Sequence, residues 1–324
     1  MTKSIPAHAL VADIGGTNAR FAIADLTALG LRDIRTFPTA EHATLADAMR
    51  AYLKDAPEKV AHAGLAVAAP LREDTVKFTN ATWTFKQTTL AKEAGLDKAF
   101  VFNDFEAQAY ALPVLTKDEL HALGGGTAVE RAPKVVLGPG TGLGVAGLVW
   151  SPTGWVPVPG EGGHQTFPAE NERELAILER MRKGLERLSV ERALSGPGLA
   201  DIYGAIAASY GFSDAERSPA EIEHMAIAGE DDMAVQALDY FVRWLGRFAG
   251  DMALAFGARG GVYIGGGIAP KMLPRLEEPD FREEFERKGR MKPYVEAIPM
   301  NVIVSDYPGL KGAAAGLRTK LVNA

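Results

Sequence analysis

A chain of 324 residues, 47% hydrophobic and 23% charged, has the composition of a soluble globular protein with one large or two smaller domains. Its 35 basic and 41 acidic residues leave a net charge of −6 with no Lys/Arg-rich run, which argues against nucleic acid or an acidic membrane surface as a partner. The absence of cysteine excludes disulfides and cysteine-ligated zinc and fits a cytoplasmic protein. No apolar segment of signal length opens the chain, and no 18-residue uncharged apolar run predicts a membrane span.

Strand patterns open the chain at 8–14 and 19–25, with a third near 33–38. Between the first two stands Asp13-Ile14-Gly15-Gly16-Thr17-Asn18. Gly-Gly supplies positive φ for a turn and Asn tolerates it, which explains the glycines. It does not explain Asp13 at the end of an apolar strand, where a charge is costly without a partner. Residues 44–54 read as a helix, with Leu45, Met49 and Leu53 at near-helical spacing, and 62–70 as a buried strand ended by Pro70. Another strand is expected over 98–104, followed by a helix that Pro113 stops.

After residue 133 the pattern of the opening returns, in KVVLGPGTGLGVAGLVW at 134–150. Gly16-Thr17 aligns with Gly140-Thr141, which suggests an internal duplication that would set two glycine turns on opposite walls of one cleft; coincidence between two hairpins is the other reading. Residues 170–257 are mostly helical, with a cap expected at Ser189 and a long helix over 231–257 whose acidic start suits the macrodipole. Gly246 and Gly250, four apart on it, predict close helix packing. A strand over 259–270 ends in Gly265-Gly266-Gly267, a last strand covers 298–306, and a closing helix follows. Together these elements argue an α/β or α+β fold.

Three glycine turns, at 15–16, 138–144 and 265–267, each follow an apolar strand, the place where α/β sheets bind ligands. Glycine lets backbone approach phosphate, so the set points to a nucleotide site, with three ordinary turns as the alternative. No P-loop signature occurs. The G-x-G-x-x-G of Gly142, Gly144 and Gly147 continues into strand where a dinucleotide fingerprint opens a helix, so it is a decoy. Glu161-Gly162-Gly163-His164 brings a carboxylate and an imidazole within reach of one pocket, a mixture suited to a hydroxyl-rich ligand. His164 could instead cap a loop, and no ligand spacing supports zinc there. Asp104, at a strand end after Asn103, is the best catalytic candidate; a helix N-cap is its plain alternative, unless Asn103 caps and leaves Asp104 free. Thr79 and Asn80 add a polar pair in FTNATW.

These segments together resemble the bacterial glucokinases, within the actin/Hsp70/hexokinase-like superfamily. DIGGTNAR, FTN before a Trp, FNDFEA, GPGTGLGVA, PGEGGH, ERALSGPGL, GGVYIGGGIAP and YPGLKGAAA occur in the right order over essentially the whole chain. The resemblance implies a two-domain actin-like (ribonuclease H-like) α/β fold with an interdomain cleft, a small domain of 1–114 plus 305–324 and a large one of 115–304. It implies phosphorylation of glucose at the 6-hydroxyl by ATP with Mg²⁺. In that reading the segment Ala12, Asp13, Ile14, Gly15, Gly16, Thr17 and Asn18 handles phosphates, with Asp13 holding the metal through water. Gly140, Thr141 and Gly142 form the opposite phosphate wall, and Gly265, Gly266 and Gly267 lie near adenosine. Asn80, Asn103, Asp104, Glu161, His164 and Glu191 hold the sugar, with Asp104 as general base. A cytoplasmic homodimer is implied, without nucleic acid or membrane. Kinases for another hexose or an N-acetylhexosamine, and a catalytically silent sugar sensor, are the alternatives.

Overall fold

The structure, a computed structural model, describes residues 5–78, 83–212 and 216–323. In chain order the elements are β1 (His8–Ile14), β2 (Asn18–Asp25), β3 (Leu31–Pro38), α1 (Leu45–Lys54), β4 (His62–Val67), β5 (Thr75–Lys77), β6 (Thr84–Lys86), α2 (Gln87–Ala94), β7 (Lys98–Asn103) and α3 (Asp104–Ala111). There follow β8 (Leu120–Ala122), β9 (Lys134–Pro139), β10 (Leu143–Ser151), β11 (Gly154–Gly160), α4 (Glu172–Met181), α5 (Val190–Ala193), α6 (Gly196–Ser209), α7 (Pro219–Ala228) and α8 (Asp232–Phe256). The chain closes with β12 (Val262–Ile264), α9 (Leu273–Leu276), α10 (Pro279–Glu286), α11 (Lys292–Glu296), β13 (Met300–Ile303) and α12 (Pro308–Asn323). It divides into two compact units: residues 1–116, 155–159 and 305–324, and residues 117–154 and 160–304.

The first unit is built on a five-stranded sheet, ordered β3-β2-β1-β4-β7. The period-2 alternation of β1 serves two cores at once. Leu10, Ala12 and Ile14 pack with Leu45, Met49 and Leu90 of α1 and α2. Ala9 and Val11 pack on the other face, with Ala107, Leu310, Ala313 and Leu317 of α3 and α12. The same alternation assigns Asp13 to the α3/α12 face, so the aspartate is delivered by strand geometry to a defined layer.

A second sheet is ordered β11-β10-β9-β12-β13-β8; β10, β9, β12, β13 and β8 belong to the second unit, and all of β11 but its two end residues is grouped with the first. Its first five strands repeat the order of the first unit: an antiparallel hairpin (β1–β2, β9–β10) lies beside a parallel strand (β4, β12), itself parallel to the next (β7, β13). Ile14 is level with Val67, and Leu137 with Ile264, at the ends of the paired strands. The repeated Gly-Thr turn of the sequence is thus the visible trace of a repeated sheet. One core unites Val135, Leu137, Val262, Ile264 and Val302 with α6 and α8. The close packing read from Gly246 and Gly250 occurs against α10, where a Cβ at either would collide with the backbone oxygens of Phe281 or Phe285.

Several bounds differ from the sequence reading. The strand from 62 ends at Val67, the strand from 98 stops at Asn103 because Asp104 opens α3, and the strand over 259–270 shrinks to Val262–Ile264. Within the mostly helical stretch read over 170–257, the first helix, α4, ends at Met181. Gly15, Gly16 and Asn18 do not adopt positive φ, so conformational need is not why glycines occupy that turn.

Candidate functional site

Asp13, the last residue but one of β1, stands directly opposite Arg20 in the β1–β2 register, and its Oδ2 lies 3.7 Å from Arg20 Nη1. That distance is too long for a hydrogen bond, so Arg20 is a loose electrostatic partner for the carboxylate. Burial pushes its pKa up and Arg20 opposes the shift. The first turn of α12 closes over it: a Cβ on Gly309 would stand 2.8 to 3.1 Å from all three carboxylate atoms. Gly15 N–H closes the turn on Asn18 O at 2.9 Å, and Thr39 anchors the turn through its N–H to Thr17 O and its hydroxyl to Gly16 O.

Asp104 opens α3 on the same face of the sheet. Asn103 is the cap: its Oδ1 accepts from Phe105 N–H and Glu106 N–H, and the Glu106 carboxylate accepts from Asn103 N–H, which completes a capping box. Asp104 is not wholly released by this, because its Oδ1 also accepts from Phe105 N–H at 3.0 Å. Burial, aided by the neighbouring Asp13 charge and opposed by the Phe105 N–H, raises its pKa to about 6. A carboxylate poised there is ionised at neutral pH and basic enough to take a proton.

In the second unit, Glu161, His164 and Glu191 come together. His164 Nε2 is 3.8 Å from Glu161 Oε2, and its Nδ1 is 3.9 Å from Glu191 Oε1. Both Glu161 and His164 side chains are more than half exposed. Ser189 caps α5 by accepting from Arg192 N–H, and this leaves Glu191 outside any capping box; its Oε2 accepts from Leu143 N–H at 2.9 Å. Gly163 allows Leu143 O to approach it, since a Cβ there would collide with that oxygen. The turn at 140–142 is pinned by Gly140 N–H to Gly142 O and by Gly196 N–H to Gly140 O, both at 2.8 Å. Gly266 needs its positive φ of 81° and lies against Pro139, which joins the 265–267 turn to the end of β9.

At Gly15, Gly140 and Gly267 neither cause operates. None has positive φ, and an added Cβ meets nothing within 4 Å at Gly140 and Gly267 and only Asn18 O, at 3.7 Å, at Gly15. One glycine in each of three strand-terminal turns therefore lacks an internal reason to be glycine. Close approach of a ligand to backbone supplies one.

Asn80 and Thr79 lie outside the described residues. Arg20, Glu106 and Gly309 border the site and carried no assignment from sequence. Register counting across the DIGGTNAR hairpin would have found Arg20, and the E three residues after Asn103 would have found Glu106. Gly309 is found only by packing. Among the described residues, no group of three or more His, Asp or Glu side chains is arranged to hold a metal by itself, and no helix is long and apolar enough to cross a membrane.

The glucokinase family model matches residues 10–320. A glucokinase from Neisseria gonorrhoeae is 45% identical over 315 residues, covering 97% of this chain and 96% of its own, and one from Chromohalobacter salexigens is 44% identical with 97% and 98% covered. Among solved structures, a glucokinase from an Antarctic psychrotroph superposes with a TM-score of 0.88 at 39% identity, covering 97% of this chain and 99% of its own. A ROK-family glucokinase from Streptomyces griseus in complex with glucose and AMPPNP shares the fold, with a TM-score of 0.65 at 20% identity over 96% of this chain and 99% of its own. The fold is the actin-like fold of the sugar kinases, and the chain belongs to the glucokinase family.

Proposed function

We infer that the protein transfers the γ-phosphoryl group of ATP to the 6-hydroxyl of glucose, giving glucose 6-phosphate and ADP. The observation that carries this is the 45% identity to a glucokinase with both chains covered almost end to end. Asp104 is the general base: it accepts the hydroxyl proton while the oxygen attacks phosphorus in line. Its elevated pKa supports that role. Asn103 spends its carbonyl oxygen on the α3 cap, and its amide N–H₂, 3.5 Å from Ala69 O, is the part left to bind sugar. Glu161, His164 and Glu191 supply acceptors and a donor for the remaining hydroxyls, and Asn80 is assigned to the sugar with them.

The segment from Ala12 through Ile14 to Asn18 and the Gly140-Thr141-Gly142 turn bind phosphates by their backbone. The Gly265–Gly267 turn lies beside adenosine. The glycines with no internal reason to be glycine support this. Asp13 fits a hydrated Mg²⁺: its charged form is disfavoured by burial and its one cationic neighbour is distant, so a cation relieves it. Bound Mg²⁺ supplies positive charge to the phosphate oxygens. The first unit acts as the small domain and the second as the large one. The protein acts in the cytoplasm as a homodimer, which sedimentation would show as a single species of twice the chain mass.

The test is ADP release by purified protein with Mg·ATP on glucose, mannose, fructose and N-acetylglucosamine, with Asp104→Ala beside it. Turnover on glucose, lost in the variant, is expected. Turnover confined to another sugar would move the substrate, and glucose binding without turnover would make the protein a sensor.

A further inference from the structure

Gly142 lies in the turn assigned to phosphate, yet its surroundings belong to the sugar side. Its φ is not in the left-handed region, so its backbone does not demand glycine. An added Cβ would collide with Glu191 Oε2 and stand 3.2 Å from Cδ and 3.8 Å from Cγ; its three nearest neighbours are all atoms of that one side chain. The next residue, Leu143, donates its N–H to the same Oε2 at 2.9 Å. With Oε2 fixed in this way, Oε1 is left towards His164, 3.9 Å away. Leu143 O, in turn, rests against Gly163 between Glu161 and His164. The Leu143 backbone, through its N–H and its C=O, is therefore the seat on which the Glu161–His164–Glu191 cluster is assembled, and the Glu191 side of the seat is open because residue 142 has no side chain.

We propose that Gly142 is a positioning residue for the sugar: the missing side chain lets the Glu191 carboxylate lie over the turn and bond Leu143 N–H, which aims its other oxygen at the substrate hydroxyls. A methyl group at 142 expels the carboxylate from this seat. The damage then falls on sugar affinity, although the mutated residue lies in the phosphate turn. The inference rests on the reading of Glu191 as a sugar ligand.

The test is a double-mutant cycle on Gly142→Ala, Glu191→Ala and the double variant, reading KM for glucose, KM for ATP, kcat, and glucose binding by calorimetry. Gly142→Ala is expected to raise the glucose KM and weaken calorimetric glucose binding by about tenfold or more, an effect several-fold larger than any it has on the ATP KM. In the Glu191→Ala background, where nothing remains to be displaced, the same substitution is expected to add less than about twofold to the glucose KM. A Gly142→Ala effect confined to ATP overturns the proposal, as does full additivity. If Glu191→Ala leaves glucose binding unchanged, the assignment of Glu191 itself falls, and the proposal with it. If Gly142→Ala is too unstable to assay, recovery of folding in the double variant supports the proposal, and failure of both to fold overturns it.

Discussion

The two units bury carboxylates in opposite ways. On α8, Arg247 is almost fully buried and bonds both oxygens of Glu174, at 2.7 and 2.9 Å, with Glu170 and Glu284 close by. Burial alone would raise the Glu174 pKa, but the Arg247 bonds prevail and lower it; Glu284 is likewise lowered, by Arg287 and Arg243. Beside α12, Asp13 and Asp104 are half-buried and their partners do not offset the desolvation: Arg20 lies loosely by Asp13, the Phe105 N–H and the Asn103 side chain bond Asp104, and both pKa values still rise. A carboxylate whose burial is compensated inside the protein serves the fold. One whose burial is left uncompensated is available to a proton, a metal ion or a substrate.

That contrast can be broken at either end. The largest effect is expected at Asp104: Asp104→Ala lowers kcat by about 10²–10⁴-fold, read by steady-state kinetics, with the melting temperature preserved. Arg247→Ala does the reverse. It strands buried Glu174 and lowers stability by about 3–5 kcal/mol in urea denaturation, while the folded fraction keeps its specific activity. Gly309→Ala sharpens the comparison, because it moves the Asp13 carboxylate without altering its chemistry. A loss of about tenfold to a hundredfold in kcat with little change in melting temperature is expected. The smallest effect is a gain. With a folded pKa of about 6 against about 3.9 unfolded, ionised Asp104 costs stability above pH 6, and the cost disappears below about pH 4. Asp104→Asn should therefore melt a few degrees above wild type at pH 8, worth roughly 1–3 kcal/mol, and equal it by pH 4, as scanning calorimetry would show.

Local features of this arrangement were legible in the sequence. The alternation of β1, the Gly-Thr turns and the Asn103 cap depend on residues within a few positions of one another, and pattern reading reaches them. The seat of Glu191 was not legible: Leu143 is 48 residues away, and nothing in SVER indicates a bond to it. The Glu174–Arg247 pair, 73 residues apart, and the packing of Gly309 on Asp13 were hidden for the same reason. The glycines at 15 and 16 were legible as a turn but for the wrong cause. Only the backbone angles show that positive φ is not what they provide.

The most direct measurement of the central claim is the pH dependence of kcat/KM for glucose with Mg·ATP held well below its own KM, so that the free enzyme is read, for wild type and Asp104→Asn. A base must be ionised to act, so the account predicts a plateau near neutrality and a tenfold fall per pH unit below about 6. In Asp104→Asn the activity is low throughout and that inflection is gone. An inflection at an ordinary carboxylate pKa, or one near 6 that survives in Asp104→Asn, would contradict it.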